Sequence, residues 1–68
     1  MADDVPALER GMEAVERGAW DEAQPLFRRA VEEAPSGQTY ELLSWAAWSL
    51  NEPEELFAAR ETAYRLYR

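Results

Sequence analysis

Two pairs of carboxylates, Glu13 with Glu16 and Glu52 with Glu55, come closest in this chain to an arrangement that could react. Acids three residues apart share a helix face, where they can act as general acid and base or hold a metal ion. The rest of the inventory speaks against that use. Histidine and cysteine are absent, so there is no imidazole base, no thiol nucleophile and almost nothing to ligate zinc. No glycine-rich phosphate loop, serine-nucleophile motif or cofactor fingerprint is present either. The acid pairs therefore read as solvated helix surface. The expectation is a chain that is not an enzyme and needs no cofactor or metal.

Binding chemistry is better represented. The segment Ser44–Leu50, SWAAWSL, sets Trp45 and Trp48 three residues apart. Tryptophan is costly to expose and is common at the anchor points of protein interfaces. The charge balance narrows the partner. Fourteen acidic residues face seven basic ones, for a net charge of −7. Such a chain repels a polyanion, so direct nucleic-acid binding is not expected. The charge is also uneven, with an acidic segment up to residue 22 and Arg60, Arg65 and Arg68 near the end. That head and tail could attract each other between copies, although solvated surface is the plainer reading. All seven cations are arginine and alanine fills twelve positions, a bias expected of a GC-rich genome.

At 68 residues the chain makes one domain at most. It can bury only about 60% of its unfolded surface. Without cysteine, disulfides cannot compensate, which leaves oligomerisation or packing against a neighbour. No apolar run is long enough for a membrane span, and the acidic start, MADDVPALERG, lacks the basic opening of a signal peptide. A cytoplasmic location is expected.

Breaks at Gly18, at Pro35-Ser36-Gly37 and at Asn51-Glu52-Pro53 divide the chain into four segments of helical periodicity. Helix 1 is expected at about 5–17, capped by Asp3 or Asp4, with Leu8, Gly11, Met12 and Val15 on one side and Gly18 at its left-handed end. Helix 2 is expected at about 22–34, with Asp21 as N-cap paired to Gln24 and Trp20 in the preceding turn. Ala23, Leu26, Phe27, Ala30, Val31 and Ala34 form its apolar stripe. Pro25 would then lie early enough to cost a single hydrogen bond. Helix 3 is expected at about 37–50, capped by Ser36 and apolar nearly all round, hence central. Helix 4 is expected at about 52–67, with Asn51 as cap in an Asn-x-x-Glu box and Leu56, Ala59, Ala63, Leu66 and Tyr67 on its apolar stripe. Its acidic start and basic end suit the helix macrodipole. Short connections require neighbouring helices to pack antiparallel.

Offset by 33 residues, the halves correspond: Gly11 with Ser44, Met12 with Trp45, Ala14 with Ala47, Val15 with Trp48, Gly18 with Asn51 and Ala30 with Ala63. A helical-pair period of this size points to a solenoid. The stretch Glu9–Pro35 resembles a tetratricopeptide repeat: Gly11 and Ala23 stand at its close-packed positions, Ala14 and Val15 at its small-plus-bulky pair, Gly18 and Trp20 at its Gly-x-aromatic turn, Phe27 and Ala30 along its second helix, and Pro35 at its terminal proline. Residues 38–68 resemble the motif less, with Asn51, Leu56 and Arg60 in place of its glycine, alanine and aromatic. The resemblance implies an all-α fold, two helix-turn-helix hairpins (about 4–35 and 38–68) in a short right-handed solenoid. It also implies a protein–protein interaction module. Parts of the chain are similar to helical segments of LuxR-type regulators and cyclase-linked bacterial signalling proteins, where such repeats are accessory sensor or interaction regions.

Carried over position by position, the family's peptide groove falls on Leu8, Met12 and Glu16 of the first repeat and on Glu41, Trp45 and Ser49 of the second. Leu8 and Met12 replace the polar clamp that well-known members use for a carboxylate terminus, so a partner anchored by apolar side chains is implied. Trp48, opposite Val15, is expected in the core. Trp45 is either a groove anchor or part of a self-association surface. Phe57, Tyr64, Leu66 and Tyr67 do not make a polar cap, and they are the expected surface for pairing with another copy. The partner is thus a foreign protein or peptide, or the chain itself as a homo-oligomerisation unit.

Overall fold

The structure, a computed structural model, describes residues 6–68. It holds four helices: α1, Ala7–Glu16; α2, Trp20–Glu33; α3, Gly37–Ser49; and α4, Pro53–Tyr67. No strand occurs among the described residues. The fold is all-α, and extensive packing joins α1 with α2, α2 with α3, and α3 with α4. As expected of the most apolar segment, α3 has neighbours on two sides. Val5, the expected start of α1, and its expected caps Asp3 and Asp4 lie outside the described residues. Pro6 stands at the N-cap position instead, and its carbonyl accepts from the Arg10 amide at 3.2 Å.

The ends of α1 and α3 are the same structure 33 positions apart. After α1, Gly18 takes φ +75°, its amide donates to the Val15 carbonyl, and the Ala19 amide donates to the Ala14 carbonyl, both at 2.8 Å. After α3, Asn51 takes φ +59°, its amide donates to the Trp48 carbonyl at 3.1 Å, and the Glu52 amide donates to the Ala47 carbonyl at 2.8 Å. Each set is a Schellman motif, which satisfies the last carbonyls of a helix through one left-handed residue. Asn51 therefore closes α3 and does not cap α4. The N-cap of α4 is Glu52, without a side-chain capping bond, so the Asn-x-x-Glu box does not form. Asparagine tolerates the left-handed region less well than glycine. Asn51→Gly should stabilise the fold by up to about 1 kcal/mol, read as a higher denaturation midpoint with an unchanged slope.

A similar correction applies to α2. It starts at Trp20, two residues earlier than expected, with Ala19 as N-cap and no side-chain cap from Asp21. The Schellman motif uses Gly18 and Ala19, and the Ala19 carbonyl at once accepts the amides of Glu22 and Ala23. No turn is left for Trp20 to occupy, and its ring packs against the core. Pro25 consequently lies inside the helix. Gln24 does not pair with Asp21 and is used elsewhere. The start of α3 agrees with expectation: the Thr39 amide donates to Ser36 Oγ at 3.1 Å, and the Ser36 amide donates to Thr39 Oγ1 at 3.0 Å.

The core is narrow. Its centre joins Ala14 of α1, Ala23 and Phe27 of α2, Leu43 and Ala46 of α3, and Ala59 of α4. Phe27 is 0% exposed. Alanines let the helices approach closely, and one large ring fills the space where they meet. Of the expected stripe of α2, Leu26 and Val31 are half-buried and Ala34 is exposed.

Candidate functional site

Between the hairpins lies a polar clamp that residue periodicity had not singled out. Gln24 of α2 is buried, and its amide group donates to Glu52 Oε1 at 2.8 Å and to Glu55 Oε1 at 2.5 Å. Arg28, one turn further on, donates from Nε to Glu55 Oε2 at 2.8 Å and from a terminal nitrogen to Glu55 Oε1 at 3.1 Å. This two-pronged geometry is the strong form of an ion pair. The Arg28 guanidinium holds the Glu55 carboxyl below its usual range; partial burial opposes this and the Gln24 amide adds to it. One of the acid pairs considered for catalysis is therefore spent on joining α4 to α2. The signal was present in the sequence as Gln24 and Arg28 four apart facing Glu52 and Glu55 three apart, but no local rule says that these two stripes meet.

The clamp sets a pH dependence. A carboxyl whose folded pKa is depressed contributes stability above its unfolded pKa and loses it as the pH falls through the folded value. Glu55→Gln should lower stability at neutral pH by about 1 kcal/mol, the modest amount suited to a partly exposed pair. Below the ordinary carboxylate range the difference from wild type should vanish. Urea unfolding at neutral and acid pH measures both.

The second hairpin carries the candidate binding surface. Glu41, Trp45, Arg60, Ala63, Tyr64 and Tyr67 line a shallow depression of ≈ 200 Å³ between α3 and α4. Glu41 and Trp45, one turn apart on α3, face Arg60, Tyr64 and Tyr67, at i, i+4 and i+7 on α4, and form its walls; Trp48 lies a turn beyond, outside the lining. The indoles of Trp45 and Trp48 meet edge to face, 6.1 Å between centroids at 86°. The Tyr67 hydroxyl donates to Glu41 Oε1 at 2.9 Å, and that carboxylate raises the phenol pKa. The Tyr67 ring lies directly over Gly37, where an added Cβ would come within 2.8 Å of it. Arg68 stacks over Tyr64 at 5.6 Å.

These placements redraw the expected sites. Glu41 and Trp45, assigned to a groove, border Tyr64 and Tyr67, assigned to self-association; the two sets form one surface. Ser49 is exposed and does not line the depression. Leu8 is half-buried against the core, while Met12 and Glu16 are exposed. None of these three lines it, and α1 and α3 are not an extensively packed pair. Phe57 is exposed, and so are Leu66 and Tyr67, although both were expected on the apolar stripe of α4. Trp48 is the clearest correction. Expected in the core, it is 62% exposed. Its equivalence to Val15 holds, since both accept the same Schellman bond. Val15, however, is itself only half-buried at a helix end, and a site that half covers valine cannot enclose an indole.

Among the described residues no group of three or more acids is placed to hold a metal ion, and no helix is long and apolar enough to cross a membrane. No protein-family model, curated protein or solved structure matches the chain.

Proposed function

We propose that the chain is a protein–protein interaction module of tetratricopeptide type, its two hairpins stacked as a short solenoid, which docks a protein through the aromatic face of its second hairpin. It is not an enzyme on this reading, and no cofactor takes part. The observation that carries the reading is an inversion of size. In the second hairpin Gly37, Thr39, Ser44, Ala46, Ala47, Ala59 and Ala63 are buried, with Leu43 the one large apolar residue among them, while Trp45, Trp48, Phe57, Tyr64 and Tyr67 are exposed. Exposed aromatic surface of this kind is characteristic of interfaces. The paired Schellman ends support the repeat, because they reproduce one hairpin geometry at the offset found in the sequence.

The test is affinity capture from extracts of the cells that make the chain. Wild type is compared with a Trp45→Ser, Trp48→Ser double variant, whose changes lie outside the core. The expected result is a set of bound proteins that disappears with the double variant. An unchanged set would defeat the reading.

A further inference from the structure

The outer face of α4, on the side away from buried Ala59 and Ala63, presents Phe57, Glu61, Tyr64 and Arg68 at i, i+4, i+7 and i+11. Phe57 and Tyr64 are 68% and 67% exposed. Shifted back by 33 residues, Phe57, Glu61 and Tyr64 fall on Gln24, Arg28 and Val31. In α2 that row faces the other hairpin: Gln24 and Arg28 bind Glu52 and Glu55, and Val31 packs on the core. The exposed row of α4 thus continues an interface that the molecule already uses once, and two of its positions have become aromatic.

The N-terminal hairpin of another copy is a poor cover for it. On α3, Leu43 and Ala46 join Phe27 and Ala23 of α2 in the core and Leu42 packs against it; their counterparts in α1 are Glu9, Arg10 and Glu13, all exposed. Burying that charged row against Phe57 and Tyr64 would strip it of water. The complement of α4 is α4 itself. Its first turn carries Glu54, free of the clamp that holds Glu55, and its last turn carries Arg65, followed by Arg68.

We infer that the chain forms a two-fold dimer in which α4 packs antiparallel on α4 of a second copy. The inference rests on the docking reading and names the occupant of a part of that surface. With the axis between Arg60 and Glu61, Phe57 meets the partner's Tyr64, Arg60 meets the partner's Glu61, and Glu54 approaches the partner's Arg68. Each contact is made twice, as a self-complementary interface requires. Two rings from each copy form the small end of specific interfaces, which sets the expected Kd on the order of 10 μM.

Sedimentation equilibrium of the 68-residue chain across that range tests it. Expected is a single monomer–dimer equilibrium. Phe57→Glu should raise Kd at least about 30-fold, the effect of placing a charge at an apolar centre, with helicity by circular dichroism unchanged because the residue is exposed. Glu54→Arg and Arg68→Glu should each weaken the dimer several-fold, and the double variant should recover it. A monomer at all concentrations, an open ladder of larger species, a dimer indifferent to Phe57→Glu, or charge variants that fail to compensate would each overturn the inference. A monomer that still loses its captured proteins on Trp45→Ser, Trp48→Ser replacement would refute the dimer and leave the docking reading standing.

Discussion

Replacing Phe27 by alanine should leave the chain largely unfolded at room temperature. Its ring is fully buried at the point where Ala14, Ala23, Leu43, Ala46 and Ala59, residues from all four helices, converge. Removing a buried phenylalanine typically costs about 3–5 kcal/mol, in lost transfer energy and in the cavity that remains. A domain of this size has about 3–10 kcal/mol in all. The surrounding side chains are mostly alanine, too short to move in and fill the void. Far-UV circular dichroism with urea unfolding is the measurement: helicity should be strongly reduced, or the midpoint should fall close to zero denaturant. A Phe27→Ala chain within about 1 kcal/mol of wild type would mean that the helices are held by something other than this junction.

The second large effect is expected from the smallest of changes, Gly11→Ala. Inside an exposed helix such a change gains about 1 kcal/mol, since alanine is the better helix former. Here the sign should reverse. An added Cβ would lie 2.5 Å from Phe27 Cε1 and 2.8 Å from Cδ1. Gly11 is buried and the ring is enclosed, so neither can withdraw. Overpacking of this kind costs about 1–3 kcal/mol, and set against the propensity gain the expected net loss is up to about 2 kcal/mol. The mechanism is separable by a double-mutant cycle. In a Phe27→Leu background, where the ring edge is gone, Gly11→Ala should turn neutral or stabilising. A loss that persists in that background would place its cause elsewhere. Gly37 offers a contrast, since the Tyr67 ring above it is 62% exposed near the end of α4 and can swing aside.

Four elements and most of their ends were legible in the residue order. Pro35-Ser36-Gly37 and Gly18 act through backbone conformation and hydrogen bonds within a few residues, so their effect is readable without knowing the fold. Asn51 shows the limit of that method. An asparagine before a proline-led helix reads as its cap, and the 33-residue equivalence to Gly18 was the better guide because it compared whole turns. Trp20 shows the same limit. Its place was settled by how tightly α1 ends, which leaves no residue for a turn.

The candidate site was legible only in part. Phe57 and Tyr64 lie off the apolar stripe of α4 and were legible as exposed, while Tyr67 lies on it and is exposed all the same. The clamp of Gln24, Arg28, Glu52 and Glu55 does not follow from any segment, because its halves lie in different hairpins. Leu8, Met12 and Trp45 were joined into one groove by analogy between repeats, while the molecule joins Trp45 to Tyr64 and Tyr67 across a single hairpin.

By itself the sequence determined an all-α chain of four short helices in two similar halves, and it excluded the chemistry that needs histidine or cysteine. These follow from periodicity, turn residues and composition, all of which are local or simply additive. Tertiary structure alone decided that Trp48 would stay outside the core and that Gln24 and Arg28 would meet Glu52 and Glu55. A helical stripe marks which residues share a face, but whether that face is covered depends on how closely the next helix can approach. In this protein Gly11, the alanines and one phenylalanine settle that distance, and no room is left inside for the larger rings.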